Sequence, residues 1–200
     1  MDVSRRRFLG AAIAAGVTGA LAPKAFAQVG YQPLPVHLPL ALAAMNLHAG
    51  RIFNRDRIGL VDFSAHSAQA RFHLFDMNSG RVVTSYLVAH GSGSDPANSG
   101  YLQRFSNRPG SNASSEGAFL IGETYYGQHG LSRRLEGLDQ QNCNARERAI
   151  VIHGADYVSG RFVENQGRIG RSQGCFAVSR LDISDVLNRL APGTLLFASK

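Results

Sequence analysis

Cysteine is scarce in this 200-residue chain: Cys143 and Cys175 are the whole supply. They form no Cys-x-x-Cys pair and the seven histidines are dispersed, so the ligand spacing that builds a zinc site is missing and no metal is expected. Lysine stands only at Lys24 and Lys200. The positive charge is almost all arginine, scattered along the chain with no recognisable nucleic-acid module, and no nucleic-acid partner is expected. Internal repeats and heptads are absent, which argues against solenoid and coiled-coil architectures. Long apolar runs are absent too. The longest, Gly10 to Ala22, covers roughly a dozen residues where a bilayer span needs about 20, so no stable membrane anchor is expected.

That apolar run follows Ser4-Arg5-Arg6-Arg7-Phe8-Leu9 and precedes Ala25-Phe26-Ala27, a twin-arginine pattern ending in a small-x-small cleavage form. Residues 1–27 therefore read as a twin-arginine signal peptide removed near Ala27, with delivery to the periplasm. Residues 28–54 read as a lead-in and helix, and 55–200 as one catalytic domain, long enough to bury its own core. Arg5, Arg6, Arg7 and Lys24 against Asp2 account for three of the seven formal positive charges. The remaining four leave a mildly basic body that suits an acidic cell-envelope polymer. Export takes both cysteines to an oxidising compartment, where a disulfide is the bland expectation. Against it, the surroundings of Cys175 are glycine-rich and polar, and a free Cys175 is expected.

Pro33, Pro35 and Pro39 favour an extended lead-in, followed by a helix from Leu40 to about His48 that ends near Gly50. Ile58 to Phe63 reads as a strand. Arg71 to Asp76 and Arg81 to Ala89 read as a hairpin about Asn78-Ser79-Gly80. Ala118 to Ile121, Ser132 to Leu135, Ala149 to His153 and Thr194 to Ala198 read as further short strands. Ile183, Val186, Leu187 and Leu190 fall at helical spacing behind Ser179 and Asp182, and Pro192-Gly193 stops the run. Between them, His90 to Gly117 is rich in Gly, Ser, Asn and Pro. Its apolar anchors Tyr101, Leu102 and Phe105 argue for an ordered, functional loop rather than a linker. Asn112-Ala113-Ser114 matches a glycosylation acceptor by chance, since a twin-arginine signal points to a prokaryotic route.

The chemistry concentrates in two short segments. Ile150-Val151-Ile152 reads as a buried strand from which His153-Gly154 emerges. A loop punctuated by Gly167, Gly170 and Gly174 then delivers Cys175 in Arg171-Ser172-Gln173-Gly174-Cys175-Phe176. A thiol attacks as its thiolate, so a cysteine with a histidine nearby suggests covalent acyl chemistry. Glycine beside the cysteine leaves backbone N–H groups open to a developing oxyanion, and Gly174 and Cys175 are the candidate donors, worth roughly 2.7 to 4 kcal/mol each.

His153-Gly154 followed by Ser172-Gln173-Gly174-Cys175 resembles the active-site signature of the L,D-transpeptidases, the YkuD-like enzymes of peptidoglycan cross-linking. The likeness extends to His90-Gly91-Ser92-Gly93, Phe105-Ser106-Asn107, Ser114-Ser115-Glu116-Gly117, Gly122-Glu123-Thr124-Tyr125 and Arg148-Ala149-Ile150-Val151, covering about residues 55 to 199. Two positions depart from it: many members carry histidine where Gln173 stands, and Arg or Asn where Ala177 stands. The resemblance implies a mainly β catalytic domain with a few helices, of sandwich or barrel-like form. It also implies that Cys175 attacks the carbonyl of the third residue of a peptidoglycan stem peptide, usually diaminopimelate, releasing D-alanine and passing the acyl group to an amine of a second stem. His153 would manage the proton, oriented by the carbonyl of Gly154. Ser172 and Arg171 are candidates to hold the loop or a substrate carboxylate, Tyr126 is a candidate substrate contact, and Tyr125 and His129 are further groove candidates. It implies no cofactor, and carbapenems as inhibitors.

Papain-like peptidases place cysteine before histidine, the reverse of the order here. Sortases keep this order but with a longer separation and an arginine after the cysteine, for which Arg180 is available in the wrong motif. The same site used with water would make an L,D-carboxypeptidase or endopeptidase. A non-catalytic peptidoglycan-binding protein is the non-enzymatic alternative.

Overall fold

The computed structural model describes residues 34–200; the expected signal peptide at 1–27 and the start of the lead-in lie outside them. Among the described residues no helix is long and apolar enough to cross a membrane. Eight strands form one sheet: β1 (Asn54–Asp62), β2 (Phe72–Asp76), β3 (Arg81–Tyr86), β4 (Gly117–Gly127), β5 (Gly130–Gly137), β6 (Val151–Ala155), β7 (Phe176–Ser179) and β8 (Thr194–Ser199). Their order is β3-β2-β1-β8-β4-β5-β6-β7. Neighbours run antiparallel except β1 beside β8 and β6 beside β7. The chain leaving β3 bridges from Ala89 to Ala177 on β7, so the two edges of the sheet meet and the sheet curls into a barrel-like body.

Period-two side-chain alternation explains how the central strands are covered on both faces. On β8, Leu196 and Ala198 enter the main core with Val61, Phe72, Phe119, Ile121 and Phe176, closed by Val186 and Leu187 of α3 (Ile183–Arg189). Leu195 and Phe197 face the other way, onto Leu38, Ala41 and Met45 of α1 (Leu38–Leu47). Each fully buried side chain of this size contributes roughly 1.5–3 kcal/mol. The helix begins two residues before the expected Leu40 because Pro39 sits in its first turn, where a missing N–H costs nothing.

Four elements exceed the sequence expectation. β4 runs well past Ile121 and β5 begins at Gly130, ahead of Ser132, so the two form a long antiparallel arm with a register shift between Ile121 and Thr124. α2 (Gly160–Gln166) is capped by the Ser159 hydroxyl, which accepts from Phe162 N–H, and it ends at Gly167 with φ +70°. The apolar run after Cys175 forms the edge strand β7.

The 90–117 loop is ordered from within. Buried Asp95 accepts from the N–H groups of Ser99 and Gly100 at 2.8 and 2.9 Å, from the Ser99 hydroxyl and from the Gln103 amide, and His90 lies 3.4 Å from it. His90 in turn meets the guanidinium of Arg71 at 2.7 Å. Arg71 is wholly buried and also donates to the carbonyls of Val88 and Ala65. A neutral imidazole thus bridges a buried cation and a buried carboxylate beneath the loop that walls the site.

Candidate active site

β6 and β7 run side by side in parallel, pairing Ile152 with Phe176 and His153 with Ala177. Ile150, Ile152, Phe176 and Val178 point into the main core. Alternation sends Val151, His153 and Cys175 to the other side, where all three line one open cleft of about 790 Å³. The histidine and the cysteine are therefore diagonal neighbours on one face of adjacent strands. His153 Nδ1 lies 3.0 Å from the Gly154 carbonyl. A carbonyl only accepts, so Nδ1 carries the proton and the Nε2 lone pair is free for proton transfer.

Glycines set the position of the nucleophile. Gly174 has φ +110°, and a Cβ there would stand 2.7 Å from the Ala113 carbonyl and 2.9 Å from Ile150. Gly91, across the 90–117 loop, has no room for a Cβ against Asn112 O and the Gly174 backbone. The Ser172 hydroxyl donates to the Cys175 carbonyl at 2.7 Å and accepts from Gly174 N–H at 3.1 Å, stapling the turn.

Both members of the pair are held neutral. Burial pushes the Cys175 thiol above the ordinary cysteine value, opposed by the Val151 N–H and by the cation of Arg148. Burial pushes His153 below the ordinary histidine value, against its bond to the Gly154 carbonyl and with help from His129 and Arg180. Cys175 Sγ is 3.6 Å from the Ala149 carbonyl, an acceptor that suits S–H and not S⁻. The cleft therefore holds a neutral thiol and a neutral imidazole. Both cysteines are free thiols, as expected for Cys175.

A family model described as the L,D-transpeptidase catalytic domain, YkuD_2, matches residues 36–199. The chain belongs to that family. A search of curated proteins finds no match. Solved structures similar to the chain include an L,D-transpeptidase from Mycobacterium smegmatis, at 13% identity and TM-score 0.45, covering 72% of this chain and 59% of that one. Another is L,D-transpeptidase 3 from Mycobacterium tuberculosis in complex with a faropenem-derived adduct, at 13% identity and TM-score 0.45, covering 72% and 60%. A third is Bd1075 of Bdellovibrio bacteriovorus, at 17% identity and TM-score 0.44, covering 71% and 47%. The chain thus spans about 60% or less of the length of these relatives.

Within this L,D-transpeptidase domain several residues expected at the site also have partners in the fold. Gly174 N–H donates to the Ser172 hydroxyl. Ser172 lines the cleft and staples the turn, with one acceptor lone pair of its hydroxyl left over. Arg171 lines the cleft and donates to the Asp95 carbonyl, tying the nucleophile loop to the 90–117 loop. Tyr126 is 82% exposed and lies outside the cleft lining; strand alternation puts its neighbour Tyr125 there instead, under the Arg134 guanidinium at 4.4 Å. Arg180 pairs with Asp156 at 2.5 Å on the surface.

Two cleft residues carry signals that sequence reasoning undervalued. His129, at the tip of the β4–β5 arm, stacks on His153 with ring centroids 4.2 Å apart and planes at 20°. Ala149 holds φ +53°, a left-handed backbone that a non-glycine residue adopts at some cost, and it presents its carbonyl to the nucleophile.

Proposed function

We propose that this protein is an exported cysteine L,D-transpeptidase that cross-links peptidoglycan. The observation that carries the reading is the placement of Cys175 and His153 on one face of two parallel strands, opening into one cleft. His153 Nε2 takes the proton from Sγ, and the sulfur attacks the carbonyl carbon of the third residue of a donor stem, diaminopimelate. Charge develops on the carbonyl oxygen, and the Cys175 N–H is the donor placed to hold it. The tetrahedral adduct collapses, the D-alanine amine leaves with the proton from His153, and a thioester remains. An amine of a second stem then attacks the thioester, His153 accepts its proton, and the sulfur leaves to be reprotonated. No step calls on a cofactor. The cleft is open enough to admit an acceptor strand, and the same thiol is a target for carbapenem acylation.

The test is one incubation. Protein lacking residues 1–27 and supplied with disaccharide tetrapeptides is expected to yield cross-linked dimers and free D-alanine, and Cys175→Ala to yield neither. Tripeptide without dimers would show that water resolves the thioester; binding without turnover would leave a binding protein. Periplasmic delivery by the twin-arginine route is tested by fractionation, with Arg5→Lys, Arg6→Lys together blocking export.

A further inference from the structure

We propose that Arg148 is the positioning cation that stabilises the Cys175 thiolate, held against the nucleophile turn by a cradle of neutral oxygens. The guanidinium is fixed from four directions. Nη1 donates to the Ser106 carbonyl at 2.8 Å and to Ser115 Oγ at 2.6 Å, and Nη2 to Ser111 Oγ at 3.2 Å and the Ala113 carbonyl at 2.5 Å. None of these partners carries charge, and among the described residues no ion pair includes Arg148. A half-buried arginine without a carboxylate is costly to keep unless an anion forms beside it.

The anion is close by. Nη2 would stand 3.2 Å from a Cβ on Gly174, the residue before the nucleophile. The next residue, Ala149, accepts the thiol proton of the resting state. Arg148 and Cys175 line the same cleft, and each favours the charged form of the other. The other charged and titratable groups around the sulfur are His153 on β6, Tyr157 after it, His129 and Arg134 on the β4–β5 arm, Arg171 on its own loop and Glu147 beside Arg148. Of the three arginines, Arg134 is paired with Glu123 at 3.1 Å, and Arg171, although it too is in no ion pair among the described residues, is turned to the Asp95 backbone carbonyl on the far loop. Arg148 is the arginine whose charge bears on the Cys175 sulfur. The resting thiol on Ala149 and the charge of Arg148 then form the two ends of one step: the carbonyl holds S–H, the fixed cation favours S⁻ through its charge, and the proton goes to His153.

This rests on Cys175 being the nucleophile, but its test reads the sulfur and not the substrate. The rate of alkylation of Cys175 by iodoacetamide, located by peptide mapping, is measured from pH 6 to 10. Loss of charge in Arg148→Met and Arg148→Gln is expected to move the midpoint upward and to slow alkylation about fivefold at pH 8. Arg148→Lys is expected to recover most of the rate. Ser115→Ala loosens the same cradle without removing charge and is expected to leave the midpoint in place. The two neutral variants differ in hydrogen-bonding capacity, and whichever folds, by circular dichroism, gives the reading. If neither folds, Arg148→Met is combined with Ser111→Ala and Ser115→Ala, which removes the hydroxyls that the lost guanidinium would leave unpaired, and the midpoint of that variant gives the reading. An unshifted midpoint in a folded neutral variant, or an equal shift in Ser115→Ala, overturns the proposal. Alkylation that behaves as expected alongside absent cross-linking would sink the proposed function and leave this role of Arg148 intact.

Discussion

The imidazole of His129 lies flat on that of His153, 4.2 Å away at 20°, so the candidate base is roofed by the tip of the β4–β5 arm. Burial is the main cause of the lowered His153 value, and the charge of His129 adds to it. His153 must be neutral to take the thiol proton, so a lowered value carries activity to more acid pH. His129→Ala removes the roof and the charge together, and the acid limb of kcat/KM is expected to move up in pH, with a several-fold loss at pH 5.5. His129→Phe keeps the roof and is expected to move the limb less. Profiles that superpose on the wild type would show that the stack has no hold on the base.

Gly174 makes a second expectation. With φ +110° and the Ala113 carbonyl 2.7 Å from a notional Cβ, Gly174→Ala must displace either the nucleophile turn or the loop at Ala113. Misplacing a reacting group by about 1 Å can cost on the order of 100-fold in rate. The expected outcome is such a loss in carbapenem acylation of Cys175, followed by intact mass, with a melting temperature only a few degrees lower. Retained acylation would mean that the turn tolerates a side chain.

How much of this was legible beforehand differs by element. The strand and turn signals of Arg71 to Asp76 and Arg81 to Ala89 are local, since β-branched and aromatic residues flank Asn78-Ser79-Gly80, and the hairpin forms there with its second strand ending earlier, at Tyr86. The helix at Ile183–Arg189 likewise carries its own spacing; Ser179 and Asp182 bond each other ahead of it, with no side-chain bond capping the helix itself. The outer half of the β4–β5 arm does not. Gly122 to Gly127 is polar and glycine-flanked, and it is a strand because Tyr125 and Tyr126 pair with Ser132 and Leu131 across the arm. His153 and Cys175 were legible through their motif. Arg148 was hidden inside Arg146-Glu147-Arg148, which looks like a solvated charged turn, and its cradle is built from Ser106, Ser111, Ala113 and Ser115 far along the chain. Tyr126 was preferred to Tyr125 because register decides which of two adjacent tyrosines faces a cleft.

The buried Arg71–His90–Asp95 bridge predicts acid sensitivity. Burial, aided by the Arg71 cation, pushes His90 down to about 4 from 6.5. Between those values the unfolded chain binds a proton that the folded chain does not, so stability is lost as pH falls through this window. The loss is on the order of 2–3 kcal/mol, and Asp95, held below the ordinary aspartate value, adds to it at still lower pH. Urea unfolding at pH 7 and 4.5 is expected to show it. His90→Gln cannot titrate there; it is expected to be less stable at pH 7 and to change less between the two pH values. An equal drop in His90→Gln would place the sensitivity elsewhere.

The most direct measurement is the chemical identity of the enzyme during turnover. Protein mixed with a disaccharide tetrapeptide donor, quenched in acid and mapped by mass spectrometry, is expected to carry the donor less D-alanine as a thioester on the peptide containing Cys175. His153→Gln should fail to accumulate it. An acyl group on any other residue, or D-alanine released with no thioester in wild type under rapid quench, would contradict a covalent route through Cys175.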